Sequence, residues 1–425
     1  MSTEQLYAIY KEFPSVQTDT RKLKEGDIFF ALKGDNFNGN HFVEKALEMG
    51  AAYAVIDEET YAVFGKTVLV QDVLTALQEL AGYHRDQFSI PFIAITGSNG
   101  KTTTKELVHA VLSTTFKTYT TEGNLNNHIG VPLTLLKIKA DAEMAVIEMG
   151  ANHQQEIASY CVYTKPTHGL ITNCGKAHLE GFGGVEGVRK GKGELFDFLR
   201  ANHGTAFIMK DYEYLQEMSQ GIDKVITYGS ADADTMGSIT ASEPFLEVAI
   251  TQGPAIGSIQ TKLVGEYNFP NILAATTIGN FFGVHDHKIK HAIEHYIPSN
   301  SRSQLLEKGS NKIILDAYNA NPSSMKLAIE NFAKIHAVNK VLLLGAMAEL
   351  GTESLAEHQT IINLIQQYDW DDVVLVGGDF LKIEHPFHQF NNSLEAKEWL
   401  QQQQFENTYL LVKGSRSMQM EKVIN

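Results

Sequence analysis

The 425-residue chain has little that would tie it to an oxidising compartment, a membrane or a nucleic acid. It holds only two cysteines, Cys161 and Cys174, too few for a disulfide framework or a four-cysteine zinc site. Positive charge is scarce: 35 Lys and Arg stand against 50 Asp and Glu, a formal net charge of −15. No basic stripe is available to neutralise a phosphate backbone, which argues against nucleic acid as a partner. Apolar runs such as VLLLGAMA from Val341 are far too short to span a bilayer. The opening MSTEQLYAIYKEF has no secretory character, so the expected compartment is the cytoplasm. No internal repeat stands out, and the one biased tract is the glutamine run 401–404.

What the chain does have is 43% hydrophobic content, enough to bury several cores, and a strong loop signal at ITGSNGKTTTKE from Ile95. FIAIT, residues 92–96, is a short apolar, partly β-branched run suited to a buried strand, and KELVHAVLSTTF after it has helical spacing. A strand would thus pass through glycines into a helix N-terminus. Gly97 and Gly100 let the backbone turn tightly and aim its N–H groups inward, with Ser98 and Asn99 between them, and the helix dipole favours an anion there. Lys101 can reach the β- and γ-phosphates of a nucleotide, and the hydroxyl of Thr102 or Thr103 can ligate Mg²⁺. The spacing is GxxGKT rather than GxxxxGK[ST], since Ile95 stands where the first glycine would be. An ordinary glycine turn is the alternative.

Three α/β units are expected. Residues 1–88 carry strand-like IFFAL, a glycine-rich loop, a helix on HFVEKALEMG, a strand on AAYAVI and a helix over LTALQELAGYHRDQF. Residues 89–298 alternate buried strands with helices, the pattern of a doubly wound parallel sheet whose ligands bind beyond the carboxyl ends of its strands. Glu148, ending MAVIEMG, and His178, following GLITN, fall at such ends. The Gly- and Thr-rich stretch 223–262 reads as antiparallel hairpins, followed by a helix over NFPNILAATTIGNFFG. After YIPSNSR the pattern restarts with KIILDAY, KVLLLGAM, DVVLVGG and TYLLVKG, which sets a third domain at 299–425.

Several segments in one order resemble the Mur ligases of bacterial cell-wall synthesis: the phosphate loop, TEGNLNNHIGVPLTLL from Thr121, IEMGANHQQEIA from Ile147, AHLEGFGGVEGVRKGKGE from Ala177, DAYNANPSSM from Asp316, GAMAELG from Gly345 and VKGSRSM from Val412. The resemblance covers nearly the whole chain. It implies a small UDP-binding α/β domain, a central P-loop ATPase domain and a Rossmann-like C-terminal domain. It further implies an ATP-dependent ligase, most like members that join D-alanyl-D-alanine to the peptide carboxylate of UDP-N-acetylmuramoyl-tripeptide. That carboxylate would attack the γ-phosphate to give an acyl phosphate, and the dipeptide amine would displace phosphate to leave a UDP-linked pentapeptide. The residues suit this chemistry, because two anions must meet and an ionised acid cannot form an amide without activation.

Residue by residue, the resemblance makes Lys101 the phosphate-loop lysine and sets Thr102 and Thr103 beside a first magnesium with Glu148. His178 corresponds to a ligand of a second magnesium, and Lys192 to the lysine that CO₂ converts to a carbamate supporting that ion. Such chemistry needs a neutral amine, hence a lysine whose pKa is lowered by burial or nearby cations. From charge pattern alone Arg189, Lys190 and Lys192 read as a solvated helix face; the family register selects Lys192. Asn268 and Asn271 in GEYNFPN match the adenine-side asparagines, with Tyr267 in place of the usual histidine. Arg302 matches an arginine reaching the γ-phosphate, with Ser301 in place of glycine. In DAYNANP, Asp316 corresponds to a ribose contact and Tyr318, Asn319 and Asn321 to the joining site, Asn319 being grouped with the catalytic residues. An isolated NANP would be only a strand-to-helix turn with an N-cap.

For the UDP-sugar, Thr20 and Arg21 stand where the family has Ser-Arg, and Gly34, Asn36, Phe37, Gly39, His41 and Phe42 follow its uridine-side loop, with Asn38 in place of aspartate. Asn124, Asn126 and Asn127 would face the muramoyl-peptide; by themselves they read as an Asx-rich turn. Ala346 replaces the aspartate of GDMxELG, which weakens any charged contact from that segment. One complete cleft per chain implies a monomer closing about hinges. The alternatives are the Mur ligase adding the third amino acid, against which stand YNANP and a missing DNPR, a folylpolyglutamate synthetase, which would lack the UDP-binding domain, and a silent nucleotide-binding relative.

Overall fold

Three parallel-rich sheets carry the chain in sequence order in the computed structural model, which describes residues 1–299 and 301–424. The first has four parallel strands in the order Val16–Gln17, Ile28–Phe30, Tyr53–Ile56 and Thr67–Leu69, with a small hairpin, Lys33–Gly34 and Phe37–Asn38, beside it. Helices Thr3–Glu12 and Val73–Arg85 cover it. Asp72 caps the second by accepting the N–H of Thr75 at 2.7 Å, as an aspartate preceding an apolar helical stripe should. Val73–Arg85 also packs on the central sheet's helices Gly130–Leu136 and Glu156–Thr164. At its end Arg85 is buried, giving Nε to the carbonyl of Thr164 at 2.8 Å and Nη2 to that of Lys165 at 3.0 Å, over the Phe92 ring.

The central sheet has nine strands, and Phe92–Thr96 lies inside it, between Met144–Glu148 and His168–Ile171. Ile93, Ile95, Val146 and Leu170 are fully buried, because a parallel sheet covered on both faces demands apolar side chains on both sides of each strand. The chain leaves Phe92–Thr96 toward Thr118–Thr120 on one side and later builds outward on the other, so a topological switch point falls at the end of Phe92–Thr96. Helix Phe269–Phe281, buried along most of its length, packs against helix Lys101–Leu112.

One expectation fails in part. Lys224–Gly229 pairs in parallel with Thr205–Met209, and Thr235–Ala241 in parallel with Lys224–Gly229. Only Thr235–Ala241, Glu247–Gln252 and Ser258–Gln260 run antiparallel. The parallel sheet therefore continues into a stretch whose Gly and Thr content resembled hairpins throughout.

The third sheet has six strands, with Asn311–Asp316, Thr408–Lys413, Asn339–Gly345 and Asp372–Val376 as its parallel centre and Gln304–Lys308 antiparallel at one edge. The three-domain α/β class expected from the sequence is the one observed. Among the described residues no helix is long and apolar enough to cross a membrane.

Candidate active site

The phosphate loop is built by contacts with the next strand. Gly97 has φ +140°, and a Cβ there would lie 2.0 Å from Thr172 Oγ1; Gly100 has φ +80°, and a Cβ there would lie 2.7 Å from Asn271 Oδ1. Neither position admits a side chain. Ser98 donates from its N–H to the carbonyl of Asn173 at 2.8 Å and from its hydroxyl to that of Gly175 at 2.9 Å. The Asn99 carbonyl accepts from Thr172 Oγ1 at 2.6 Å and Asn173 Nδ2 at 3.1 Å. Thr172 and Asn173 were legible only as a polar strand end. Lys101 opens the helix and donates to the carbonyls of Gly97 and Ser98 at 2.7 and 3.2 Å. Burial pulls its pKa down to about 8, with Glu148 opposing and Arg302 adding to the shift.

Glu148 ends its strand 1% exposed. Its Oε1 accepts from Thr102 Oγ1 at 3.1 Å and Asn126 Nδ2 at 2.7 Å, and its N–H donates to Thr121 Oγ1 at 2.9 Å. Its Oε2 is buried with no hydrogen-bond partner. A dry carboxylate oxygen without a donor is costly unless a cation meets it, so Glu148 with the Thr102 hydroxyl fits a hard, oxygen-seeking cation such as Mg²⁺. Thr103 is buried beside Thr102 on the same first turn. Among the described residues no three His, Cys, Asp or Glu side chains come together as a metal group.

Lys192 is 1% exposed, donates to the carbonyl of Ala151 at 2.9 Å, and has its ammonium 4.9 Å from the Phe182 ring centroid. Burial, and then the charge of Lys101, hold its pKa well below the ordinary lysine value. Lys190 is exposed, whereas Arg189 is half-buried, paired with Glu186 at 3.3 Å and laid over the Tyr214 ring with its Nε buried and unpaired, so the solvated-face reading fits Lys190 alone. A signal for this was present in the sequence: Val188, Lys192, Leu195 and Leu199 are buried on one helical stripe in which Lys192 is the lone charge. His178 has φ +52° and sits before the short helix Leu179–Phe182 with Nδ1 against the carboxylate of Glu349. Glu349 went unnoticed in the sequence, and with it GAMAELG supplies a charge despite Ala346. The hydrogen bond with His178 is the main cause of a carboxyl pKa below the usual range.

The third sheet's strand ends face the loop. Arg302 stacks its guanidinium 3.6 Å from the Tyr318 ring centroid, with Nε buried and unpaired. Asp316 accepts from the Ser303 N–H at 3.1 Å and from Lys413 at 2.6 Å. Lys413, 2% exposed, was also missed, its signal being a lysine closing an otherwise apolar strand. Asn319 Oδ1 accepts from the N–H groups of Ala320 at 2.9 Å and Arg416 at 3.3 Å. Asn321 caps helix Pro322–Lys334 through the Ser324 N–H and donates its amide to Asn99 Oδ1 at 2.7 Å, joining the third sheet to the phosphate loop. Lys176 strengthens the joint, its N–H donating to Ser323 Oγ at 2.9 Å and its ammonium to Glu357 at 2.5 Å. Asn268 and Asn271 are buried and bonded to each other at 2.9 Å, and Asn271 Oδ1 accepts from Thr104 at 3.0 Å. They brace the loop from below.

The residues expected at the UDP-sugar lie on the first sheet's loops. Thr20 and Arg21 form a single 3₁₀ turn, where Arg21, its side chain 87% exposed, forks onto Asp19. Gly34 and Phe37 belong to the hairpin, Asn36 lies exposed at its tip, and half-exposed Phe37 stacks on Phe42. Gly39 sits against the backbone of Ala31 and Leu32, and His41 lies beside Tyr61. In the asparagine cluster Asn126 serves Glu148, Asn127 accepts the Gly130 N–H at 2.8 Å, and the Asn124 carbonyl accepts the Asn126 N–H at 2.8 Å. The Asx turn and the polar site coexist there.

Three models of one family match in sequence order: Mur ligase family, catalytic domain, over residues 12–85; Mur ligase middle domain over 95–279; and Mur ligase, glutamate ligase domain, over 301–416. The chain is 36% identical over 423 residues to the UDP-N-acetylmuramoyl-tripeptide--D-alanyl-D-alanine ligase of Escherichia coli (strain K12), covering 96% of this chain and 92% of that protein. The enzyme of that name from Bacillus subtilis (strain 168) is 33% identical over 426 residues, with the same two coverages. Among solved structures, MurF from Acinetobacter baumannii superposes with a TM-score of 0.87 at 29% identity, over 100% of this chain and 97% of that one. Matched end to end by these models and relatives, with its glycine loop joined to the third sheet and a half-satisfied carboxylate and a buried lysine in the central domain, the chain belongs to the Mur ligase family.

Proposed function

We propose that the protein joins D-alanyl-D-alanine to the peptide carboxylate of UDP-N-acetylmuramoyl-tripeptide at the expense of ATP, giving a UDP-linked pentapeptide, ADP and phosphate for peptidoglycan synthesis. The observation that carries this reading is the convergence on one loop of Lys101 and Glu148 from the central sheet with Asn321 from the third, through the Asn321–Asn99 bond, with Lys192 buried within reach of the Lys101 charge. Lys101 and the N–H groups opening its helix bind the phosphates, the Ser98 and Asn99 N–H groups being held by Asn173, Arg302 takes the γ-phosphate from the other side, and the tripeptide carboxylate attacks it. Asn268, Asn271 and Asp316 frame the adenosine side. Thr20, Arg21 and the loop 34–42 hold the UDP-sugar, Asn124, Asn126 and Asn127 face the muramoyl-peptide, and Tyr318, Asn319 and Asn321 seat the dipeptide whose amine displaces phosphate.

Thr102, Thr103 and Glu148 would hold one Mg²⁺, and His178 with a carbamylated Lys192 a second. Magnesium supplies positive charge where phosphate and carboxylate oxygens crowd. The low pKa of Lys192 supports carbamylation, since only the neutral amine adds to CO₂. All these groups come from one chain, which supports a monomer, with segments 1–88, 89–298 and 299–425 as its working parts in the cytoplasm.

Phosphate release from ATP and Mg²⁺ should require UDP-N-acetylmuramoyl-tripeptide and D-alanyl-D-alanine together, with the pentapeptide identified by mass. Turnover only with the dipeptide precursor and a single amino acid would move the chain to the ligase adding the third residue. Turnover with neither would refute the ligase reading.

A further inference from the structure

Arg302 is presented by a turn that its neighbours must hold in place. Ser301 has φ +56° and Ser303 φ +47°, so the residues on both sides of the arginine occupy the left-handed region, which non-glycine residues enter only when their surroundings impose it. The third sheet supplies part of the constraint. The Ser301 carbonyl accepts the Tyr318 N–H at 3.2 Å, and the Ser303 N–H donates to Asp316 Oδ1 at 3.1 Å. Arg302 lays its guanidinium on the Tyr318 ring and leaves Nε buried and unpaired, so the side chain is aimed without being saturated.

The rest comes from the central domain, through the 3₁₀ turn Glu266–Asn268. Ser303, 5% exposed, has its hydroxyl 3.2 Å from that of Tyr267 and 3.4 Å from Asn268 Nδ2. The Tyr267 ring folds back over Gly265, where a Cβ would lie 2.3 Å from it, so the pose depends on that glycine. A phenol carries its polar atom at the far end of its ring, beyond the reach of either nitrogen of the histidine usual at this position. Ser301 likewise replaces a glycine, which would adopt the turn unaided. The two departures fit one another: a turn that needs holding, and a hydroxyl that holds it. The same segment grips the phosphate loop, since Asn268 bonds Asn271 at 2.9 Å and Asn271 accepts from Thr104 at 3.0 Å. Arg302 and the Lys101 helix are thus set from one brace, near enough for the arginine's charge to lower the lysine's pKa.

We infer that Tyr267 is a positioning residue: through Ser303 its hydroxyl holds the turn 301–303, so that Arg302 meets a terminal phosphate opposite Lys101. The inference rests on the ligase reading for the nucleotide, but it is read from binding and needs no turnover.

The test is calorimetric binding of two Mg²⁺ complexes, ADP and the ATP analogue with an imido bridge between its β- and γ-phosphates, to the full chain as wild type, Tyr267→Phe, Arg302→Ala and the double variant. ADP lacks the phosphate that Arg302 meets, so a residue acting through Arg302 changes the affinity for the analogue alone. Tyr267→Phe should weaken the analogue about fivefold, the worth of one hydrogen bond, and leave ADP within about twofold. Arg302→Ala should weaken the analogue about 30-fold, and the double variant no further, because Tyr267 then has nothing left to position. Equal losses for ADP and the analogue in Tyr267→Phe would overturn the proposal by making Tyr267 only a part of the pocket wall, as would no loss at all or losses that add in the double variant. Ser303→Ala carries the same expectations and the same refutations where Tyr267→Phe does not fold. Wild type that binds the analogue as expected but makes no pentapeptide would refute the ligase reading and leave the positioning result standing.

Discussion

The central and third sheets on one side and the loops of the first sheet on the other carry the proposed site residues in opposite physical states. On the central and third sheets Glu148, Lys192, Lys413 and Asn271 are buried, and most of their polar atoms are hydrogen-bonded. On the first sheet Arg21, Asn36 and Phe37 are exposed and meet only near neighbours. Where charges are to be stabilised the protein is preorganised, since dipoles already fixed cost nothing to turn. Where a large polar ligand is only held, the surface can wait for the ligand to order it.

The contrast should break first at Lys192. Lys192→Met keeps the volume and removes the amine, so product formation should fall about 10³-fold, the scale of a lost preorganised group, while the melting temperature holds or rises because a buried polar amine with one hydrogen bond has gone. A variant within tenfold of wild type would place Lys192 outside the chemistry. Next comes Glu148→Gln, for which a loss of roughly 10²-fold is expected with a raised Mg²⁺ requirement, read from rate against Mg²⁺ concentration. An unchanged requirement would detach Glu148 from the ion.

Arg21→Ala sharpens the other side of the comparison. Its fork onto Asp19 is exposed and should add little stability. KM for the UDP-substrate should rise about tenfold with kcat and melting temperature unchanged; a fall in kcat instead would mean that the first sheet is as preorganised as the joint. The smallest effect is one of pH. Lys101 titrates at about 8 in the free protein, and phosphates beside it must raise that value. Nucleotide binding above pH 8 therefore takes up a proton, and affinity should fall roughly fivefold from pH 8 to 9 while staying level below about 7. Calorimetry in buffers of different ionisation enthalpy measures the uptake directly, and none at pH 9 would sink the assignment.

Much of this was legible in the sequence where local pattern decides structure. The run over 92–96 became the strand Phe92–Thr96, and the repeated strand–helix order yielded the parallel sheets. Pattern failed where partner choice rules: nothing local in Lys224–Gly229 says that it pairs in parallel with Thr205–Met209 rather than folding back. At the site, the loop glycines could be named from their spacing, whereas the asparagines took their roles from the family resemblance, since alone they read as turns and caps. Glu349 could not be named, because its meaning arises from a left-handed turn that brings one sheet to another. Lys413 was obscured by strand composition, since a lysine at the end of LLVK looks like an ordinary solvated terminus until Asp316 is seen beside it.

The helix Val73–Arg85 has a mechanical consequence. To shear it from the central sheet would strip the Arg85 guanidinium of two carbonyl acceptors and a ring face in a dry setting, at a cost of about 3 kcal/mol or more. The first two sheets are therefore locked to each other by a buried charged anchor. The third sheet is instead pinned to the central one at several separate points, Asn321 to Asn99, Lys176 to Glu357, Lys334 to Glu266 and His336 to Glu243, so no single contact decides whether the two stay together.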